Sequence, residues 1–152
     1  MRIIIAGGTG FLGRRLCRVL GEAGHEVVVL SRSEGPPPEG AARRLAWGGR
    51  WPAELEGAGA VVNLSGTNIA EGRWTQRRKK SILDSRVQAT RALVAALAKA
   101  KAKPEVLVNA SAVGYYGDRG EERLTEASSP GAGCASRLPG SGGAVPPAPA
   151  RG

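Results

Sequence analysis

The sequence predicts an α/β fold, a parallel sheet of about five strands in the order 3-2-1-4-5 with helices on its flanks. Three observations predict it. Short β-branched runs (RIIIA, EVVVL, AVVNL, EVLVN) recur along the chain, separated by longer segments. These runs lack polar alternation, as expected of strands covered on both faces. A glycine cluster, GGTGFLG at 7–13, stands between the first run and a helix-period segment.

Taken in order, Arg2 to Ala6 is the first strand. Gly10 to Gly24 carries Phe11, Leu12, Leu16, Val19 and Leu20 at helical spacing, and Gly24 is placed to end that helix. Glu26 to Leu30 is the second strand, followed by a turn-rich stretch with prolines at 36, 37 and 38. Arg43 to Trp47 reads as a short third strand and Pro52 to Leu55 as the start of a short helix. Ala60 to Leu64 is the fourth strand, ended by Ser65 and Gly66. A long helix is expected from about Thr75 to Lys99, lined on one side by Ile82, Leu83, Val87, Leu93, Val94 and Leu97. Pro104 closes that region, because proline removes a helical hydrogen bond. Glu105 to Asn109 is the fifth strand. Residues 1–130 are thus expected to form one domain. The pattern breaks beyond it: among the 22 residues from Gly131 to Gly152, ten are Gly or Pro and five are Ala. Neither period survives there, and a disordered or loosely laid tail is expected.

Composition limits the function. The chain has 152 residues, 41% hydrophobic and 4% aromatic, which suits one domain. No run approaches the ~20 apolar residues of a membrane span, and the start lacks a signal-peptide pattern. Two cysteines, Cys17 and Cys134, make neither a disulfide framework nor a four-ligand zinc site. No metal site and a cytoplasmic, reducing setting are expected. The net charge of +9 is concentrated: ten basic residues and one acid, Asp84, lie between Arg73 and Lys103. No aromatics interleave that run to stack on bases, so a solvated helix face is expected and nucleic acid is not. His25 reads as a turn residue, Cys17 as core, and Trp47, Trp51 and Trp74 as packing anchors.

Gly7, Gly10 and Gly13 have the spacing GxxGxxG, between a buried strand and an amphipathic helix. In a Rossmann-type fold the first glycine permits a tight turn, the middle one lets a pyrophosphate approach the backbone, and the last lets helix and sheet pack closely. Free N–H groups and the helix dipole then face the anion. At the end of the second strand, where NAD-binding folds carry an acid, the chain reads Ser31-Arg32-Ser33. A guanidinium there can hold a 2′-phosphate, so the expected cofactor is NADP, with NAD second.

GGTGFLG, GHEVVVLSR, VVNLSGTNI, RW followed by SR at 85–86, and SAVGYYG occur in that order. Together they resemble the short-chain dehydrogenase/reductase superfamily, in an atypical branch of its extended NAD-dependent epimerase/dehydratase type often called sugar-nucleotide epimerase-like. The resemblance covers residues 1 to about 130. It implies that Gly7, Thr9, Gly10, Phe11 and Leu12 border the pyrophosphate and that Ser31 and Arg32 meet the adenosine 2′-phosphate. It places Leu64 and Ser65 beside adenine or ribose, Ser81 and Arg86 on the long helix toward the cofactor, and Ser111 as the group orienting substrate. For Ser65, Ser81 and Ser111, local hydrogen bonding at element ends is the alternative.

The superfamily's reductases and epimerases use a Tyr-x-x-x-Lys pair, in which lysine lowers the tyrosine pKa for proton exchange with substrate. The sequence holds no such pair: its last tyrosine is Tyr116 and its last lysine Lys103. Tyr115 or Tyr116 is either a stand-in acid or a packing residue. By resemblance the chain reaches near half the family's length. A shifted reading frame would account for the change after Pro130: with suitable codons, Arg137-Leu138-Pro139-Gly140 read one base later gives Val-Cys-Arg-Ala, and the family tends to carry Val-Cys there. The resemblance implies an NADP-binding oxidoreductase or epimerase-like protein, catalytically impaired in this form. The alternative is a non-catalytic dinucleotide sensor or regulatory module. The expected partners are a small-molecule substrate, no nucleic acid, no membrane, and self-association through an exposed sheet edge.

Overall fold

The structure is a computed structural model that describes residues 1–111 and 113–131. The expectations for Cys134 and for a disordered or frame-shifted tail at 132–152 lie outside the described residues. The chain divides into two compact units, Met1–Ala110 and a second beginning at Ser111.

In the first unit the elements are β1 (Arg2–Ala6), α1 (Phe11–Glu22), β2 (Glu26–Ser31), β3 (Arg43–Ala46), β4 (Ala60–Asn63), α2 (Gln76–Lys99) and β5 (Val106–Asn109), with a 3₁₀ turn at Trp51–Leu55 between β3 and β4. The five strands form one parallel sheet ordered β3-β2-β1-β4-β5. Element ends fall within one or two residues of the sequence reading. Gly24 stands two residues past α1 with φ +79°, in the left-handed region that glycine favours. Thr75 is the N-cap of α2, its Oγ1 accepting from Arg78 N at 3.2 Å.

Alternate residues of the central strands feed two apolar layers, as the two-residue period of a strand requires. Ile4, Ala6, Val28, Leu30 and Val61 pack with Trp51, Leu55 and Leu93 on one face. Ile3, Ile5, Val27, Val29 and Ala60 pack with Cys17 on the other, against Leu16 and Leu20 of α1. Gly13, Leu16, Cys17 and Leu20, spaced i, i+3, i+4, i+7, therefore form the inward stripe of α1.

The structure corrects the apolar faces. Phe11 and Leu12 are 93% and 66% exposed, because their positions on α1 lie outside the Gly13, Leu16, Cys17 and Leu20 stripe that meets the sheet. Trp74 is 55% exposed and is not an anchor: it precedes α2 and joins neither apolar layer. On α2 the buried positions are Ile82, Ala89 and Leu93, while Val94 is 38% exposed. Ala89, Ala92 and Ala96 bring the helix down on the sheet, and Val94 is rotated away from them. Among the described residues β5 pairs only with β4, and its Val106 and Val108 are about half exposed.

In the second unit, Val113–Tyr115 forms a single 3₁₀ turn. Arg119 organises the segment after it, donating to Tyr116 O (3.3 Å) and, through Nη2, to Ser129 O and Oγ (2.9 and 3.0 Å).

Candidate functional site

The chain direction across the sheet reverses between β1, which leads outward to β2 and β3, and β4, which leads to β5. In such sheets ligands bind in the crevice outside the carboxyl ends of the strands at this reversal. A crevice of about 520 Å³ opens at that point. It is bordered by Gly7, Thr9 and Gly10 after β1, by Ser31 and Arg32 at the end of β2, and by Leu64 to Thr67 after β4. Trp47, Trp51, Ser85, Gln88, Ala89 and Ala92 complete it.

The glycine loop is shaped by backbone contacts that leave no room for side chains. Gly7 has φ +83°, and a Cβ on it would lie 2.8 Å from the carbonyl carbon of Leu64. A Cβ on Gly13 would strike the Gly7 carbonyl and stand 2.6 Å from Gly8 Cα. Gly10 is less confined: the one atom near its missing Cβ is Gly7 O, at 3.3 Å. Gly10 is also the N-cap of α1, with no side-chain hydrogen bond to the helix. Its own N–H bonds to Gly7 O at 3.0 Å, and the helical ladder begins with Arg14 N to Gly10 O at 3.0 Å. The N–H groups of Phe11, Leu12 and Gly13 thus lack an intrahelical acceptor at the positive end of the helix.

The β4 side carries an orphaned group. Ser65 Oγ is buried in the crevice wall and has no hydrogen-bond partner among the described residues. The Ser65 main chain is fixed, its N–H donating to Asn63 Oδ1 at 3.1 Å. Asn63 is itself buried, and its Nδ2 donates to Asn109 Oδ1 (2.7 Å) and Thr90 Oγ1 (3.1 Å).

Gly7, Thr9, Gly10, Ser31, Arg32, Leu64 and Ser65, all anticipated from sequence, therefore border one crevice. Phe11 and Leu12 are side-chain exposed on the first turn of α1, beside the loop rather than on the crevice wall. Arg86 lies behind the rim: its Nη1 donates to Thr67 O (3.2 Å) and Ile82 O (3.1 Å), its guanidinium fills the space next to Gly66, and burial lowers its pKa. Ser81 lies on an adjacent open face with Arg77 and Lys80, whereas Ser85, one turn on, lines the crevice and accepts from Thr67 N at 3.0 Å. Ser111 is exposed in the second unit. Tyr115 there is half-buried, edge-on to Tyr116 with ring centroids 5.0 Å apart, and its carbonyl accepts from Gly131 N at 2.9 Å.

Sequence reasoning missed Ser85, Gln88 and Thr67 as lining residues, and gave Trp47 and Trp51 only a packing role. The helical period held a signal for Ser85, which shares a face with Ala89 and Ala92. The tryptophans meet edge to face at 5.2 Å, with Trp51 Nε1 donating to Trp47 O at 2.8 Å.

Comparison with known proteins decides the family. The model of the NAD dependent epimerase/dehydratase family matches residues 3–135. The chain belongs to this family. It is 41% identical over 129 residues to the epimerase family protein YfhF of Bacillus subtilis, covering 83% of the chain and 42% of that protein. It is 36% identical over 118 residues to human epimerase family protein SDR39U1, covering 76% and 38%. The crystal structure of human SDR39U1 (isoform 2) with NADPH superposes with a TM-score of 0.80 at 35% identity, over 93% of this chain and 47% of that one. MoeE5 in complex with UDP-glucose and NAD gives 0.69 at 26% identity, over 86% and 42%. The chain spans about two fifths of the length of the curated relatives it matches. Within the family, then, these residues supply the Rossmann-type sheet and the crevice at its reversal.

Proposed function

We propose that the crevice binds NADP(H), and that this chain carries the cofactor-holding part of an epimerase-like oxidoreductase. The observation that supports this most is the glycine loop. It has an uncapped helix start, borders the crevice at Gly7 and Gly10, and leaves no space for side chains at Gly7 or Gly13. The diphosphate would lie on the N–H groups of Phe11, Leu12 and Gly13. Ser65 Oγ would find its missing hydrogen bond on the ribose or adenine. Arg32, at the end of β2 where an acid would repel it, would meet the 2′-phosphate. The NADPH carried by human SDR39U1 in its crystal structure favours the same choice.

The cofactor supplies hydride transfer when bound. The chain's part is to bind and orient it. The crevice offers Thr9, Thr67, Ser65, Ser85, Gln88 and Arg32, none of which is an acid or base suited to pass a proton at neutral pH. Ser111 and Tyr115 are the residues proposed to face substrate. Without a Tyr-x-x-x-Lys pair, turnover by this chain is expected to be weak, which also keeps a sensing or regulatory role as the second reading.

Titration calorimetry with NADP and NAD on wild type and Arg32→Ala tests the assignment. Loss of a charge-assisted contact predicts about tenfold weaker NADP, with NAD little changed. An equal loss for both would refute the 2′-phosphate role. Oxidation of NADPH with a carbonyl or sugar-nucleotide substrate separates enzyme from sensor.

A further inference from the structure

Arg44, on β3, reaches across to the turn that follows β2. Its Nε donates to Ser31 Oγ (2.9 Å) and Ser33 O (3.1 Å), Nη1 to Pro36 O (3.3 Å), and Nη2 to Ser33 Oγ (3.0 Å). Ser31 Oγ, accepting from Arg44, itself donates to Ser33 O. The turn passes close to the guanidinium at Gly35, where a Cβ would stand 3.0 Å from Nη1. One side chain thereby fixes the segment that displays Arg32.

The same guanidinium borders an open groove of about 760 Å³, together with Arg14, Arg15 and Arg18 of α1. Thr9 borders both this groove and the crevice, so the two adjoin at the glycine loop. Arg14 is tied to that junction, its Nε donating to Thr9 O at 2.9 Å. A guanidinium has five N–H groups. The turn takes one on each of the three nitrogens of Arg44, leaving one on each terminal nitrogen for an anion.

We infer that Arg44 is a specificity-determining residue for the 2′-phosphate: it sets the Ser31–Pro36 turn that carries Arg32 and offers its two remaining N–H groups to the phosphate monoester. The inference rests on the NADP reading of the crevice. A planar fork suits a monoester better than a lysine point charge does. A nucleotide lacking the 2′-phosphate draws on neither the fork nor the arginine groove.

The test compares wild type, Arg44→Ala and Arg44→Lys in calorimetric titrations with NADP, NAD and 2′,5′-ADP. Arg44→Ala is expected to bind NADP and 2′,5′-ADP about tenfold more weakly. NAD affinity should stay within about twofold, which also reports that the variant is folded. Arg44→Lys should recover only part of the loss. A wild type that prefers NADP, with variants that keep the same NADP-to-NAD ratio, overturns the role of Arg44 alone. An equal fall in both cofactors overturns it too, by making Arg44 a general support of the sheet edge. If Arg44→Ala does not fold, Arg44→Lys carries the comparison. A wild type that binds neither nucleotide overturns the reading of the crevice, and this inference with it.

Discussion

Asn63 and Asn109 face each other as register partners on β4 and β5 and are joined side chain to side chain, Asn63 Nδ2 donating to Asn109 Oδ1 at 2.7 Å. Thr90 of α2 closes the set, accepting from Asn63 and donating to Asn109 at 3.4 Å. Because Asn63 Oδ1 also receives the Ser65 N–H, this small polar cluster positions the β4 rim of the crevice.

Asn63→Ala would leave half-buried polar groups on Thr90, Asn109 and the Ser65 main chain short of partners. It is expected to cost ~1–3 kcal/mol of stability and to weaken dinucleotide binding as the rim loosens. Urea denaturation and a nucleotide titration on one preparation check both. Unchanged stability would show that water replaces the amide fully.

Two glycines separate shape from backbone freedom. Gly13→Ala places a methyl 2.6 Å from Gly8 Cα, a backbone atom with nowhere to go. It should cost ~1–3 kcal/mol through overpacking and greatly weaken nucleotide binding. Gly24→Ala meets nothing within 4 Å but must hold φ +79°, so it should lose ~1–2 kcal/mol from the left-handed backbone alone, with binding intact. Equal binding loss in both would deny the loop its special place.

Acid should weaken the sheet's amino-terminal edge. Hydrogen bonds from Arg43 and then Arg2 hold the Glu26 carboxyl below the usual carboxylate range. The N–H groups of Ala102 and Lys101 do the same for Glu56. Groups with depressed folded values contribute stability above their unfolded pKa and lose it as pH falls through the folded value. Melting curves should therefore drop as pH goes below about 4.5, the unperturbed value for both groups. Glu26→Gln should flatten part of that drop. Both side chains lie at the solvent surface, so solvent screens the effect.

Cys17 is buried against the sheet, and burial pushes its thiol above the ordinary value. In Cys134→Ser, where Cys17 is the sole thiol, alkylation by iodoacetamide at pH 8 should be slow in buffer and fast in denaturant. Rapid native-state labelling would mean that α1 lifts readily from the sheet.

Sheet order and element ends were legible because four of the five strands are short apolar runs; β3, Arg-Arg-Leu-Ala, carries the weakest signal. The glycine loop was legible because its context on both sides is local. What stayed hidden depends on partners far apart in sequence. Arg44 reads as a surface residue until β3 lies beside β2 and brings it onto Ser31 and Ser33. Asn63 reads as a strand end until β5 brings Asn109 opposite it. Phe11, Leu12 and Val94 were given to apolar faces by periodicity, which fixes angular spacing but not which stripe meets the sheet. Resemblance points to Ser81 on α2; Ser85, one turn on and on the same helical face, is the one that lines the crevice.

The central claim, that bare main-chain N–H groups at the start of α1 hold a diphosphate, is tested most directly by NADPH titration of Gly10→Asp. The Gly10 backbone (φ −77°, ψ 177°) suits any residue, and a Cβ there meets only Gly7 O, at 3.3 Å, a tight contact relieved by a small shift of the loop. An aspartate there would cap the uncapped helix, a gain over glycine of roughly a few tenths of a kcal/mol, while setting a carboxylate where the diphosphate must lie. The account predicts thermal stability close to wild type with NADPH binding reduced at least about a hundredfold, the ~3 kcal/mol expected of like charges in contact. A stable Gly10→Asp protein that binds NADPH like wild type would contradict it.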